Sequence, residues 1–544
     1  MKSTMKIPTR HILTLLIAVI ATMADCHAQY FKADYAPNPA AFMMPRQADE
    51  QNPFWAHDMY RHFMLKSCRD SAIYADVYKA NYDNKLTSEL TLQSYYANYH
   101  LKLFEPAFGL VVNKLNNKDI FYFLDSCRQS SNQMLTLVPG EWQRTRPCAR
   151  LREVNFAMRR QAHEYANNVS YAPNLSFPSN EGTAGWLTGL LLSTLNPWQT
   201  DTIMSRAYQH GWFREVSGGM WATDVDDSRE LGTVVFARLM SMPRFRNRLR
   251  VLQRKNWPLL QPDPHGTLTP FAHVMSSAVP TIDDQLANDS LFARLARHIP
   301  VNDTESSGGF QSDLQRYATL ATLRDSVSVS DMLGSSSDDY LNPIDFFTPV
   351  TDFIANPRQT PSLYKLLTSM LTGCEQLCLL AQEQSVERRR PFDVFQQDPL
   401  TLEDTDQLRA QSDYPSYRAA AGMAVALTLM MLDPVQCDTI MHLGYQYGLY
   451  RAIGGSNWHS DIVAGRLAGC MAVSVVASGS DFLDLLESAR VEYDSWHGEI
   501  ITDSPSIRQD SSQNDKQLYT IDGRPATPNS RGILVGRNRK VLVP

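Results

Sequence analysis

The stretch "YRAIGGSNWHSD" sets Arg451, Gly455, Asn457 and Asp461 in the frame of a catalytic motif. An arginine offers planar, permanently charged donors suited to a phosphate, sulfate or carboxylate. Asp461 lies one helical turn after Asn457, close enough to pair with a neighbour. The position where an attacking atom is expected holds an asparagine. The same frame occurs earlier as "FREVSGGMWATD", with Arg214, Gly218, Met220 and Asp224. Neither an amide nor a thioether belongs to the side chains that attack in covalent catalysis.

The two stretches are part of a longer internal repeat. "DTIM" occurs at 201–204 and at 438–441, an offset of 237 residues. The same offset relates Pro178-Ser179 to Pro415-Ser416, Trp221 to Trp458, Arg229 to Arg466 and Gly232 to Gly469. One gapless offset over about 55 residues points to a tandem duplication.

The elements that must position these residues read as helices. "SLYKLLTSMLTGCEQLCLLAQEQ" (362–384) places apolar residues at three- and four-residue steps. "GTAGWLTGLLLSTL" and "AAAGMAVALTLMML" are apolar nearly all round, which predicts central, buried helices. The expected fold is all-α: two tandem helical bundles, at 45–255 and 306–494, joined by a linker at 256–305 rich in Pro, Asp, Ser and His. A polar linker is expected at 495–515. Residues 516–544 alternate apolar positions around "DGR" and "PNSRG", which predicts a short β-rich C-terminal segment of two or three strands. That segment resembles the C-terminal sorting segments of proteins exported by type IX secretion.

Residues 1–28 carry Lys2, Lys6 and Arg10, then an apolar run from Ile12 to Met23, then Ala28 before a plausible cut. This reads as a secretory signal peptide. Cys26 also raises a lipid-anchored reading, which Asp25 directly before it fits poorly. Removing Lys2, Lys6, Arg10 and Asp25 moves the formal net charge from −6 to −8. A chain so charged is not expected to bind nucleic acid. No later apolar run reaches transmembrane length, so an integral membrane protein is not expected; periplasm, outer-membrane surface and secreted states all stay open. Seven cysteines follow the cut, without a second metal-ligating pair, so neither a disulfide scaffold nor a metal site is expected.

The motif set resembles the bacterial class A non-specific acid phosphatases of the type 2 phosphatidic acid phosphatase and vanadium haloperoxidase superfamily. That family carries KxxxxxxRP, PSGH and SRxxxGxHxxxD. In it, the last histidine attacks phosphorus, the final aspartate orients that histidine, and the PSGH histidine protonates the leaving oxygen. The lysine, arginines and serine hold the phosphate. In the second half of this chain "ERRRPF" supplies Arg390, "YPSYR" supplies Ser416, and "YRAIGGSNWHSD" supplies Arg451, Gly455 and Asp461. Glu383 stands at the lysine, Arg418 at the acid and Asn457 at the nucleophile. In the first half "WQRTRPC" supplies Arg146, "FPSNE" supplies Ser179, and "FREVSGGMWATD" supplies Arg214, Gly218 and Asp224. Pro139, Glu181 and Met220 stand at the lysine, acid and nucleophile.

The resemblance therefore implies the fold without the chemistry. Loss of a general acid alone is typically worth about 10²–10⁴ in rate. The expected protein is an exported pseudo-phosphatase with an anion-binding or protein-interaction role, and it needs no cofactor, since the vanadate of the haloperoxidases also requires the missing histidine. Arg390, Ser416, Arg418 and Arg451 form a candidate site for a phosphate-like anion or small phosphate ester; Arg146, Ser179 and Arg214 form a weaker one, because Glu181 faces them. Asp461, Asp224, Gly455 and Gly218 also fit a purely structural role. The alternative is an active phosphate-ester hydrolase with altered residues, for which His459 is the one candidate nucleophile.

Overall fold

A computed structural model describes residues 29–43, 54–69, 101–151, 176–216, 218–260, 278–336, 339, 341–410, 414–502, 519–520, 532–536 and 539–543. The expected signal peptide lies outside the described residues. Residues 1–489 form one compact unit and residues 490–544 a second.

The first unit is helical. Its described helices include α1 (Trp55–Arg69), α2 (Lys118–Leu135), α3 (Asn180–Leu195), α4 (Thr200–Val216), α5 (Ala222–Met240) and α6 (Pro243–Leu260). They continue with α7 (Ile282–Leu286), α8 (Asp289–Ala296), α9 (Phe310–Ala321), α10 (Pro361–Gln382), α11 (Tyr417–Leu432), α12 (Cys437–Ile453) and α13 (His459–Ser478). The bounds of α3 and α4 recur in α11 and α12 at an offset of 237, and α5 starts at that offset from α13. The cis bonds Phe177-Pro178 and Tyr414-Pro415 share it too.

The two all-round apolar sequences become α3 and α11, and from Gly182 to Leu195 and from Ala419 to Leu432 nearly every residue is buried. Each starts at a serine N-cap: Ser179 Oγ accepts from Gly182 N at 3.0 Å, and Ser416 Oγ from Ala419 N at 3.4 Å. Helix α3 packs on α5 and α13, and α11 packs on α5 and α13. Burying a Leu- or Val-sized side chain is worth about 1.5–3 kcal/mol, so this four-helix centre outweighs the surface ion pairs. Helix α13 is the one described helix long and apolar enough to cross a membrane, and it is buried in that centre.

The crossings are close because glycines sit at them. A Cβ on Gly469 would lie 2.4 Å from Ala420 O in α11, and one on Gly232 2.9 Å from Thr183 O in α3. Backbone cannot step aside as a side-chain tip can. Gly469→Ala is therefore expected to cost about 1–3 kcal/mol, read as a lowered denaturation midpoint at unchanged slope.

The connection, expected as loop with at most one short helix, carries two. α7 opens with a capping box between Thr281 and Asp284, and α8 is capped by Asn288. These Thr and Asn residues read as loop formers when they act as caps. α14 (Phe482–Thr502) runs past 495, where a polar linker was expected. In the second unit β1 (Tyr519–Thr520), β2 (Gly532–Gly536) and β3 (Arg539–Val543) form an antiparallel sheet in the order β1-β2-β3. Val535 pairs with Lys540 across its hairpin.

Candidate functional site

In the second half, α12 ends in a tight turn that returns the chain to its own last arginine. Gly455 adopts φ +87°, a conformation that disfavours any side chain, and the amides of Ser456 and Asn457 donate to Arg451 O at 3.0 and 3.3 Å. Asn457 Oδ1 then accepts from Arg451 Nε at 3.3 Å. Arg390, the N-cap of a one-turn helix at Pro391–Val394, reaches the same turn. Its Nη1 donates to Ser456 O at 3.1 Å and its Nε to Leu408 O at 2.7 Å. Arg418, in the first turn of α11, donates Nη2 to Glu403 Oε1 at 3.2 Å. Arg451 also pairs with Glu403, whose second oxygen accepts from Thr401 Oγ1 at 3.0 Å. Burial alone would raise the Glu403 pKa, but Arg451 and Arg418 hold it below the usual carboxylate range.

The sequence frame set Glu383 against these arginines. The structure instead places Glu383 at the exposed C-cap of α10, and a carboxylate from an unassigned loop, Glu403, bridges Arg418 and Arg451. Ser416 and Ser179 are fully buried and spend their hydroxyls as helix caps.

The first half repeats the turn. Gly218 has φ +72°, and the amides of Gly219 and Met220 donate to Arg214 O at 3.0 and 3.1 Å. Arg146 Nη1 donates to Gly219 O at 3.0 Å and lies 3.2 Å from the Met220 sulfur. Arg214 Nη2 stands 3.7 Å from Glu181 Oε1. Burial would raise the Glu181 pKa, yet Arg214 and then Arg146 lower it. Glu181 thus pairs with Arg214, and both side chains stay about a quarter exposed.

Asp224 and Asp461 have partners that the motif frame does not assign. Arg144 Nη1 donates to Asp224 Oδ1 at 2.7 Å and its Nη2 to Asp58 Oδ2 at 2.6 Å, all three side chains fully buried. In the second half Arg388 Nη2 donates to Asp461 Oδ1 at 2.6 Å and its Nη1 to Asp313 Oδ2 at 2.9 Å. The outer acids are fixed alike. Asp58 accepts from Thr223 N and Oγ1, both at 3.0 Å, and Asp313 from Ser460 N and Oγ at 3.0 and 2.6 Å. Trp221 and Trp458 lie against the two guanidinium groups. Two acids thus share one arginine in each half. Burial, with Asp313 adding to it, pushes Asp461 up to about 6 against the pull of Arg388. The signal was legible: both first blocks read Arg-x-Arg-Pro, and the frame used only the second arginine.

His459 does not join the arginines. It begins α13, is buried, and lines a cavity of about 70 Å³ between the halves with Phe54, His57, Asp226, Arg316 and Tyr414. There His57 Nδ1 lies 3.0 Å from Asp303 Oδ2. Burial would lower the His57 pKa, but Asp303 raises it; Asp303 in turn is lowered against its own burial by His57. The histidine's contribution to stability is full below about pH 6.5 and is lost as pH rises through its raised value. The aspartate's is lost as pH falls through its lowered one. Denaturation of wild type beside His57→Asn is expected to show a stability gap near pH 6 that closes toward pH 9. A gap that grows with pH would contradict the pairing.

Among the described residues no cluster of metal-ligating side chains occurs. No family model matches the chain. It is 32% identical over 148 residues to a non-specific acid phosphatase of Providencia stuartii, covering 27% of this chain and 58% of the relative. It is 30% identical over 146 residues to that of Salmonella typhimurium and 29% over 146 residues to that of Salmonella typhi, with the same coverage. The chain thus spans 58% of the length of these curated relatives. Over that stretch the chain is a relative of the bacterial class A non-specific acid phosphatases.

Proposed function

We propose that this is an exported, tandemly duplicated protein of the acid phosphatase fold that has lost phosphomonoesterase activity in both halves and keeps an anion-binding arginine pocket in the second. One observation carries the reading. The aspartates that would orient a nucleophilic histidine are committed to Arg388 and Arg144, while the nucleophile positions hold Asn457 and Met220 against the phosphate arginines. A general acid is missing as well, since Arg418 keeps its proton at any working pH and Glu181 is held ionised. Arg390 and Arg451 reach the turn at Ser456 and Asn457, and Glu403 links Arg418 to Arg451.

The test is hydrolysis of an aryl phosphate by the purified chain, from acidic to neutral pH, beside the Arg390→Ala/Arg451→Ala double variant. The reading predicts no turnover above that variant. Turnover that disappears in it would support instead an active hydrolase with altered residues.

A further inference from the structure

We infer that Glu403 is a built-in stand-in for the ligand of the second-half pocket, and that it restricts the pocket to dianionic oxyanions, a phosphate group free or on an ester. This rests on the anion-binding reading above. The Glu403 carboxylate spans Arg418 and Arg451 as a bound oxyanion would, one oxygen to each. The Arg451 side chain is only 2% exposed and Arg418 12%, so a ligand cannot reach both guanidinium groups while Glu403 is seated.

The segment that carries Glu403 runs along the surface, although the Glu403 side chain itself is only 13% exposed. Its neighbours Leu402 and Asp404 are exposed, Leu402 by 62%. The backbone is pinned on both sides of the carboxylate, by Leu400 N to Gly454 O at 2.8 Å and Leu402 N to Ser336 Oγ at 2.9 Å before it and by Leu408 N to Asp404 O at 3.0 Å after it, so release is a swing of the Glu403 side chain alone. Lifting one side chain from this surface segment exposes the arginines without opening the α11–α13 core.

Charge sets the selectivity. A tethered carboxylate competes as if present at roughly millimolar concentration or above. A free monoanion such as acetate or chloride offers the arginines nothing that Glu403 does not already supply. A phosphate dianion brings a second charge and a third oxygen, which suits a site where Arg390 adds another cation beside Ser456.

The experiment is calorimetric titration of the full chain with inorganic phosphate, with acetate as the monoanion control, for wild type, Glu403→Gln and Glu403→Asp. Glu403→Gln is expected to bind phosphate about tenfold or more tightly than wild type, with Glu403→Asp between, and acetate is expected not to compete in wild type. Without phosphate Glu403→Gln should melt below wild type, and phosphate should restore it. Equal phosphate affinity in wild type and Glu403→Gln, or acetate competing as well as phosphate in wild type, would overturn the role of Glu403 and leave the anion pocket standing. Absence of phosphate binding in all three folded proteins would overturn the pocket itself.

Discussion

Arg388→Met is expected to lower the stability of the helical unit by about 3–5 kcal/mol, the usual result of removing one partner from a buried ion pair. The side chain is 3% exposed, and it is the shared counter-charge of Asp313 and Asp461, themselves 6% and 7% exposed. Without it two carboxylates face each other in an apolar setting made by Phe310 and Trp458. Arg388→Lys should recover only part of the loss, because one ammonium cannot reproduce two separate guanidinium arms. Adding Asp313→Asn and Asp461→Asn to Arg388→Met should recover more of it, since the buried charge is gone. Denaturant midpoints of the four proteins check this. If the triple variant is as unstable as Arg388→Met, packing rather than charge sets the cost. Arg144→Met should behave alike through Asp58 and Asp224.

The second large effect belongs to the contact between the halves. Glu230, 1% exposed in α5, accepts from Arg466 Nε at 3.1 Å and from the Tyr445 hydroxyl, both of the second half. Glu230→Ala leaves the Arg466 guanidinium buried beside Tyr445 with its carboxylate gone, for an expected loss of about 3–5 kcal/mol. Glu230→Gln should cost less, because it keeps an acceptor for both donors. A loss below about 1 kcal/mol for Glu230→Ala would place this pair with ordinary surface bridges and contradict a role in holding the halves together.

Much of the architecture was legible because it rests on features a sequence carries openly. All-round apolarity marked α3 and α11 as central, but the serine before each was read as a phosphate ligand, and only the structure shows it capping the helix. The arginine–glutamate contact of the first half followed from Glu181 falling in the motif frame. The aspartate partners did not follow, for a physical reason. Asp58 and Asp313 play one role but lie 255 residues apart, not 237, so a constant offset cannot relate them. Arg144 and Arg388 were in view, but the frame gives phosphate work only to the arginine beside proline. Glu403 belongs to no motif; only the folded loop brings it to Arg418 and Arg451. Of the short helices α7 and α8 the sequence allowed only one, because their capping residues have the composition of a loop.

The proposed loss of phosphatase chemistry means that neither half forms a phosphohistidine. Trace phosphatase from an expression host can imitate turnover, but it cannot label this chain. The most direct measurement is therefore covalent labelling. The purified protein is mixed with a phosphoryl-labelled aryl phosphate, quenched in alkaline detergent to preserve phosphohistidine, and resolved by size. With Met220 and Asn457 at the nucleophile positions, the account predicts no label on the chain at any pH from acidic to neutral. Label approaching one phosphoryl group per chain, and lost in the Arg390→Ala/Arg451→Ala variant, would contradict it.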